Sequence, residues 1–157
     1  VVTVTGKSVK EPCNLWVRVG TPMSEIIKAA GGLPEDTGKI ISGGPMMGKA
    51  LNSFDIPVAK STSGILIMPE NESHRPKEMN CIRCGRCITV CPMALEPYLL
   101  RRLTMNVLWD DVQKNNVLDC IECGSCSYTC PANIPLLDYI RLGKSTVSKI
   151  LRSKNKK

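Results

Sequence analysis

Two stretches decide the fold: Cys81-Ile82-Arg83-Cys84-Gly85-Arg86-Cys87-Ile88-Thr89-Val90-Cys91-Pro92 and Cys120-Ile121-Glu122-Cys123-Gly124-Ser125-Cys126-Ser127-Tyr128-Thr129-Cys130-Pro131. Both read C-x2-C-x2-C-x3-C-P, and the second repeats the first at an offset of 39 residues. This spacing is the bacterial [4Fe-4S] run. Three thiolates at i, i+3 and i+6 let one short loop wrap three corners of a cubane. Gly85 and Gly124 permit the twist and close backbone approach that a β-carbon would hinder. Such a loop can aim amide N–H groups at sulfur, and Pro92 and Pro131 turn the chain away after the fourth cysteine. In two-cluster proteins the fourth cysteine serves the other cluster. The expected ligand sets are therefore crossed: Cys81, Cys84, Cys87 and Cys130 for cluster 1, and Cys120, Cys123, Cys126 and Cys91 for cluster 2. Structural zinc, with its two CxxC pairs or mixed Cys/His sets, matches this triple spacing poorly. Disulfides match it poorly too, because such a thiol array calls for a reducing compartment.

Around these runs the chain is globular in composition. Of its 157 residues 43% are hydrophobic and 22% charged, which excludes disorder over the whole length. No apolar run reaches the ~18 residues that a membrane-spanning helix needs. Two Trp, three Tyr and one Phe leave few platforms for stacking bases, so nucleic acid is a poor partner. The net charge of +7 has a location: Lys144, Lys149, Arg152, Lys154, Lys156 and Lys157 all fall in a stretch without an acid. Residues 144–157 therefore read as a solvated basic tail, with an anionic membrane surface or acidic partner as the alternative. The opening Val1-Val2-Thr3-Val4-Thr5 is no signal peptide; it reads as a strand of a longer protein.

Residues 1–68 read as a small α/β unit. Val2 and Val4 alternate with Thr3 and Thr5, Gly6-Lys7-Ser8 suits a hairpin turn, and Leu15 to Val19 suggests a second strand carrying Trp16. Thr21-Pro22 suits a helix start, with Thr21 as N-cap and Pro22 in the first turn. Met23, Ile26, Ile27 and Ala30 make one buried stripe, which Gly31-Gly32 stops. Ile40-Ile41 and Ile65 to Met68 supply further strands. Two strands, a helix and two more strands suggest a β-grasp-like sheet with one helix across it. Gly43-Gly44-Pro45-Met46-Met47-Gly48 reads as a tight turn with methionines to expose or dock, and only weakly as a phosphate loop. Cys13 reads as a small buried hydrophobe. Residues 69–80 are polar and proline-bearing, a linker, and its His74 reads as a solvated imidazole.

Residues 81–143 read as all-α. Pro97 and Pro135 can each start a helix, and Leu95, Leu99, Leu103 and Val107 recur every four residues. Leu137, Ile140, Val147, Ile150 and Leu151 continue the second copy, with a break expected at Gly143. Little apolar burial is expected here without metal, whereas residues 1–68 should fold alone. No catalytic set is present: neither HExxH, GxSxG, a P-loop nor a Cys–His pair occurs. Charge near the two loops suggests an order of potentials. Arg83 and Arg86 favour reduction of cluster 1, while Glu122 and Asp119 oppose reduction of cluster 2, a gap on the order of 100 mV at low salt.

Val2 to Met68, with GGPMMG at 43–48, Lys60-Ser61-Thr62-Ser63-Gly64-Ile65-Leu66, and then the two cysteine runs, resembles the C subunit of the Rnf ion-translocating electron-transport complex. The resemblance implies an α+β chain: a β-grasp domain of the SLBB type at 1–68, a linker at 69–80, an α-helical two-[4Fe-4S] ferredoxin domain at 81–143 and the basic tail at 144–157. It implies electron relay within a NAD/ferredoxin oxidoreductase coupled to Na⁺ or H⁺ transport, alongside other subunits, peripheral on the cytoplasmic face of the bacterial membrane. FMN and NADH belong, by the same resemblance, to an upstream domain and to no residue here. A bacterial-microcompartment cobalamin reductase shares the domain order. An iron–sulfur scaffold whose β-grasp domain binds a partner or ligand is a further alternative.

Overall fold

The computed structural model describes residues 1–154. The chain divides into two compact units, Val1–Arg75 and the part from Pro76 onward.

The first unit is a mixed sheet crossed by one helix. Strands β1 (Val2–Thr5), β2 (Cys13–Leu15), β3 (Thr37–Ser42), β4 (Lys49–Ala50) and β5 (Gly64–Pro69) lie in the order β2-β1-β5-β3-β4. β1 and β5 are parallel, and the other pairs are antiparallel. Helix α1 (Met23–Ala29) lays Met23, Ile26 and Ile27 on Val2, Val4, Ile40, Ile65 and Ile67, all buried. The alternation of Val2 and Val4 with exposed Thr3 and Thr5 is the half-buried strand pattern expected from a period of two. Cys13 is half-buried against this core, as expected of a small hydrophobe.

Two details differ from the sequence reading. β2 ends at Leu15, which pairs with Val2, the first residue of β1; beyond it the strand has no partner, and Trp16 is 92% exposed. Thr21 does not cap α1, which starts at Met23 with Pro22 as N-cap and no side-chain bond. The N–H groups of Met23 and Ser24 instead donate to the carbonyls of Ile56 and Phe54, each at 3.0 Å. A neighbouring backbone segment thus satisfies the helix start that a side chain usually serves. The GGPMMG segment is the loop of the β3–β4 hairpin, closed by Gly48 N–H to the Gly44 carbonyl at 2.7 Å.

The stretch expected as a linker is shared between the units. Pro69 closes β5, and helix α2 (Glu70–Ser73) follows it, with Lys39 Nζ bonded to the Ser73 carbonyl. His74 is exposed beside Glu70, at 2.8 Å. Residues 77–79 join the second unit: Arg101 pairs with Glu78, and Met79 N–H donates to the Ala132 carbonyl at 2.9 Å.

The second unit is all-α, with helices α3 (Arg86–Thr89), α4 (Pro97–Met105), α5 (Trp109–Lys114), α6 (Ser125–Tyr128) and α7 (Leu136–Lys154). It has an apolar core of its own, from Leu95, Leu100, Leu103, Val112, Val117, Ile134, Leu136, Ile140 and Val147. That is more burial than the cysteine-rich sequence suggested, and it sits where α4, α5 and α7 meet. Val107 is 61% exposed, because α4 stops at Met105 and Leu100 takes the inward position. The break expected at Gly143 does not occur. A β-carbon there would lie 2.6 Å from Thr104 Oγ1 and 3.2 Å from Val112 Cγ1, so glycine serves close approach of α7 to its neighbours and not a helix end. The stretch read as a tail is consequently helical from Lys144 to Lys154; Lys156 and Lys157 lie outside the described residues.

Candidate metal centre

The two cysteine runs share a backbone as well as a spacing. Left-handed conformations occur at Arg83 and Glu122 (φ 57° and 58°), at Gly85 and Gly124 (74° and 84°), and at Ala94 and Asn133 (51° and 53°). Each pair is separated by the offset of the repeat. Four of these six residues are not glycine, and a left-handed conformation costs them energy that the surrounding structure has to offset. Gly85 and Gly124 each precede a single helical turn, α3 and α6, from which Cys87 and Cys126 project. Helices α4 and α7 begin at equivalent positions after the runs, at Pro97 and Leu136.

Two cavities gather the eight cysteines. Cys81, Cys84, Cys87 and Cys130 line one of about 420 Å³. Cys91, Cys120, Cys123 and Cys126 line the other, whose walls close to about 20 Å³. Mutual effects of the thiols follow the same division. Burial pushes the Cys87 thiol up, and Cys130 and Cys81 add repulsion, against an amide of Tyr98 that favours the thiolate. Burial also pushes up Cys120, with Cys91 contributing repulsion, while the Glu122 amide and Lys144 oppose this. Cys126 is pushed up to about 11, first by burial and then by Cys120 and Cys123. Cys123 is lowered by the hydroxyl and amide of Ser125.

The residues fit an iron–sulfur cluster. Thiolates are the ligands, and amides already point at sulfur: Leu95 N–H donates to Cys91 Sγ and Glu122 N–H to Cys120 Sγ, both at 3.4 Å. In the larger cavity Arg101 Nε is sealed from water without a hydrogen-bond acceptor, which a cluster sulfur would provide. Binding displaces protons from the raised thiols and contributes folding free energy to the loops.

Charge around the two sites departs from the reading of the loops alone. Arg83, Arg86, Arg101 and Arg102 line the first cavity, and no carboxylate does. Glu122 does not stand as an isolated anion beside the second. Arg141 Nε reaches its Oε2 at 2.9 Å and Lys144 Nζ its Oε1 at 3.4 Å, and both hold its carboxyl below the ordinary range against the opposing effect of burial. Lys144 also bonds the Cys120 carbonyl. The negative field assigned to cluster 2 is thus offset by two cations of α7, while Arg101 and Arg102 add positive charge at cluster 1, so the expected order of potentials stands on the cations of the first site and not on a bare anion at the second. Neither α7 cation belongs to a cysteine run, so spacing could not reveal them.

Sheet, helical unit and paired cysteine cavities define an SLBB domain joined to a two-cluster iron–sulfur domain. The sequence matches the SLBB domain family over residues 1–50 and the 4Fe-4S dicluster domain family over residues 80–135. The cofactors are accordingly two [4Fe-4S] clusters. Over 146 residues, 92% of this chain, it is 49% identical to the C subunit of the proton-translocating ferredoxin:NAD(+) oxidoreductase complex of Clostridium ljungdahlii. It is 43% identical over 146 residues to the Na(+)-translocating counterpart of Acetobacterium woodii, and 45% identical over 147 residues to the C subunit of the ion-translocating oxidoreductase complex of Rhodobacter capsulatus. The chain belongs to this family of C subunits of ion-translocating oxidoreductase complexes. It spans 28–33% of the length of these relatives.

Proposed function

We propose that this chain is an electron relay in a membrane-associated NAD/ferredoxin oxidoreductase coupled to ion transport. Cluster 1 is held by Cys81, Cys84, Cys87 and Cys130, and cluster 2 by Cys120, Cys123, Cys126 and Cys91. The observation that carries the reading is the crossed composition of the cavities: each takes three cysteines from one run and the fourth from the other. Each cluster, when bound, accepts and releases one electron. The chain's residues hold the two sites on one helical body, direct amides at sulfur and set the local charge. The relatives' names favour this function over a microcompartment cobalamin reductase or a purely structural scaffold.

The partners are the other subunits of the complex, met at the cytoplasmic face of the membrane. No helix among the described residues is long and apolar enough to cross one. Anaerobic reconstitution should give about eight iron and eight sulfide per chain and a reversible EPR signal on reduction. Stoichiometric zinc without iron uptake would refute the reading.

A further inference from the structure

We infer that the mouth of the cluster 1 cavity is a docking surface for an acidic protein that exchanges electrons with that cluster. The inference rests on the relay reading above and adds which cluster meets a partner and by what chemistry.

The lining is compositionally extreme. Half of the chain's arginines, Arg83, Arg86, Arg101 and Arg102, line this one cavity, although lysines outnumber arginines in the sequence. No lysine and no carboxylate joins them. Arg101 is anchored by Glu78 and lies over the Tyr139 ring, 5.1 Å from its centroid. Arg83, Arg86 and Arg102 are exposed. Among them stand Ile82, 68% exposed, Ile88 and Tyr98. A merely solvated face would carry the chain's commoner cation and mix in acids. Arginine is more weakly hydrated than lysine and forms bidentate pairs with carboxylates. Arginine and tyrosine are enriched, and lysine depleted, where proteins meet.

The two cluster sites also differ in reach. Cys81 and Cys84 are exposed, whereas Cys126 is buried and no arginine or lysine lines its cavity. Electron transfer weakens steeply with distance, so exchange with a partner occurs where a cluster approaches the surface. A cationic mouth around such a cluster focuses an anionic partner and raises its association rate by about 10–10³-fold at low salt.

The test uses the full reconstituted chain and, as probe, a reduced acidic [2Fe-2S] ferredoxin in stopped-flow reduction of the clusters. The second-order rate constant should fall as salt rises. The triple variant Arg83→Glu, Arg86→Glu, Arg102→Glu should lose at least tenfold at low salt, and its salt dependence should vanish or reverse. A changed cluster potential alone would alter the rate without reversing that dependence. The charge-matched control Lys28→Glu, Lys49→Glu, Lys60→Glu, on exposed residues of the first unit, should retain the wild-type slope. Equal loss in both triples, or no salt dependence in the wild type, overturns the docking surface. So does arginine-dependent binding to phosphatidylglycerol vesicles with the ferredoxin rate unchanged by the arginine variant. Iron content and EPR of every variant keep this outcome separate from failure of the relay reading, which would appear as absence of any reducible cluster.

Discussion

The two cysteine runs are copies in backbone and opposites in surroundings. Left-handed residues recur at the offset of the repeat, single helical turns follow equivalent glycines, and α4 and α7 start in register. Yet the first run opens onto an arginine-lined cavity, while no arginine or lysine lines the second and its one carboxylate is paired with two cations from α7. Duplication preserved what the cluster demands of the chain, namely thiol spacing and loop conformation. Everything that distinguishes one redox site from the other comes from residues outside that demand. The difference teaches where to look for function in a repeated motif: in what packs around each copy.

The most severe way to break the comparison is to cut the crossing. Cys130→Ala should abolish cluster 1, and Cys91→Ala cluster 2, each leaving about half the iron with the other cluster's EPR signal intact. Loss of cluster 2 from Cys130→Ala and of cluster 1 from Cys91→Ala would show instead that each run serves its own cluster.

A second test addresses the seam where the copies meet. Thr104 and Gly143 occupy equivalent positions and face one another, and Thr104 Oγ1 is buried without a partner. Gly143→Ala should destabilise the cluster-loaded chain by about 1–3 kcal/mol in urea unfolding, because the new methyl overpacks the seam. In a Thr104→Ala background the cost should disappear, as the helix propensity of alanine, about 1 kcal/mol over glycine, is no longer opposed. Additive effects would deny that these two positions touch.

A third concerns the apoprotein at high pH. Burial raises the Cys126 thiol to about 11 from an ordinary value near 9, so the folded chain holds this proton more tightly than the unfolded one. Stability should therefore fall as pH rises from 9 towards 11, by an amount of order 1–2 kcal/mol. Cys126→Ala should flatten that slope in denaturant melts more than Cys87→Ala, since Cys87 is only half-buried. Identical slopes for the two variants would place the burial difference elsewhere.

The finest distinction is in potential. Glu122→Gln should raise cluster 2, by releasing Arg141 and Lys144 from their anion, and Lys144→Met should lower it. Arg83→Gln should lower cluster 1 and leave cluster 2 in place. Each shift is on the order of tens of millivolts, shrinking with salt. EPR-monitored titration reads both clusters at once, and movement of the wrong cluster would sink the assignment.

Much of this was legible in the chain itself. The α1 stripe of Met23, Ile26, Ile27 and Ala30 is buried as its spacing implies, and Pro97 begins α4 as a proline should. Misreadings arose where a neighbour overruled a local signal. Thr21 is a good N-cap, but the Ile56 and Phe54 carbonyls took its place; Gly143 is a good breaker, but a close helix seam requires it inside α7. Val107 continued a four-residue recurrence that α4 ended too early to use.

What the sequence by itself determined is the chemistry of the centre. Ligand type, ligand spacing and duplication are properties of residues near one another along the chain, where local geometry leaves few choices. The crossed pairing of the thiols also followed from the motif; only the tertiary structure decided that Lys144 bonds the Cys120 carbonyl instead of fraying in a tail, and that Arg101 and Arg102 of α4 join Arg83 and Arg86 around one cavity. Burial and Coulomb interactions act through space, and the groups that set them here lie many residues apart, on a helix whose packing no motif announces.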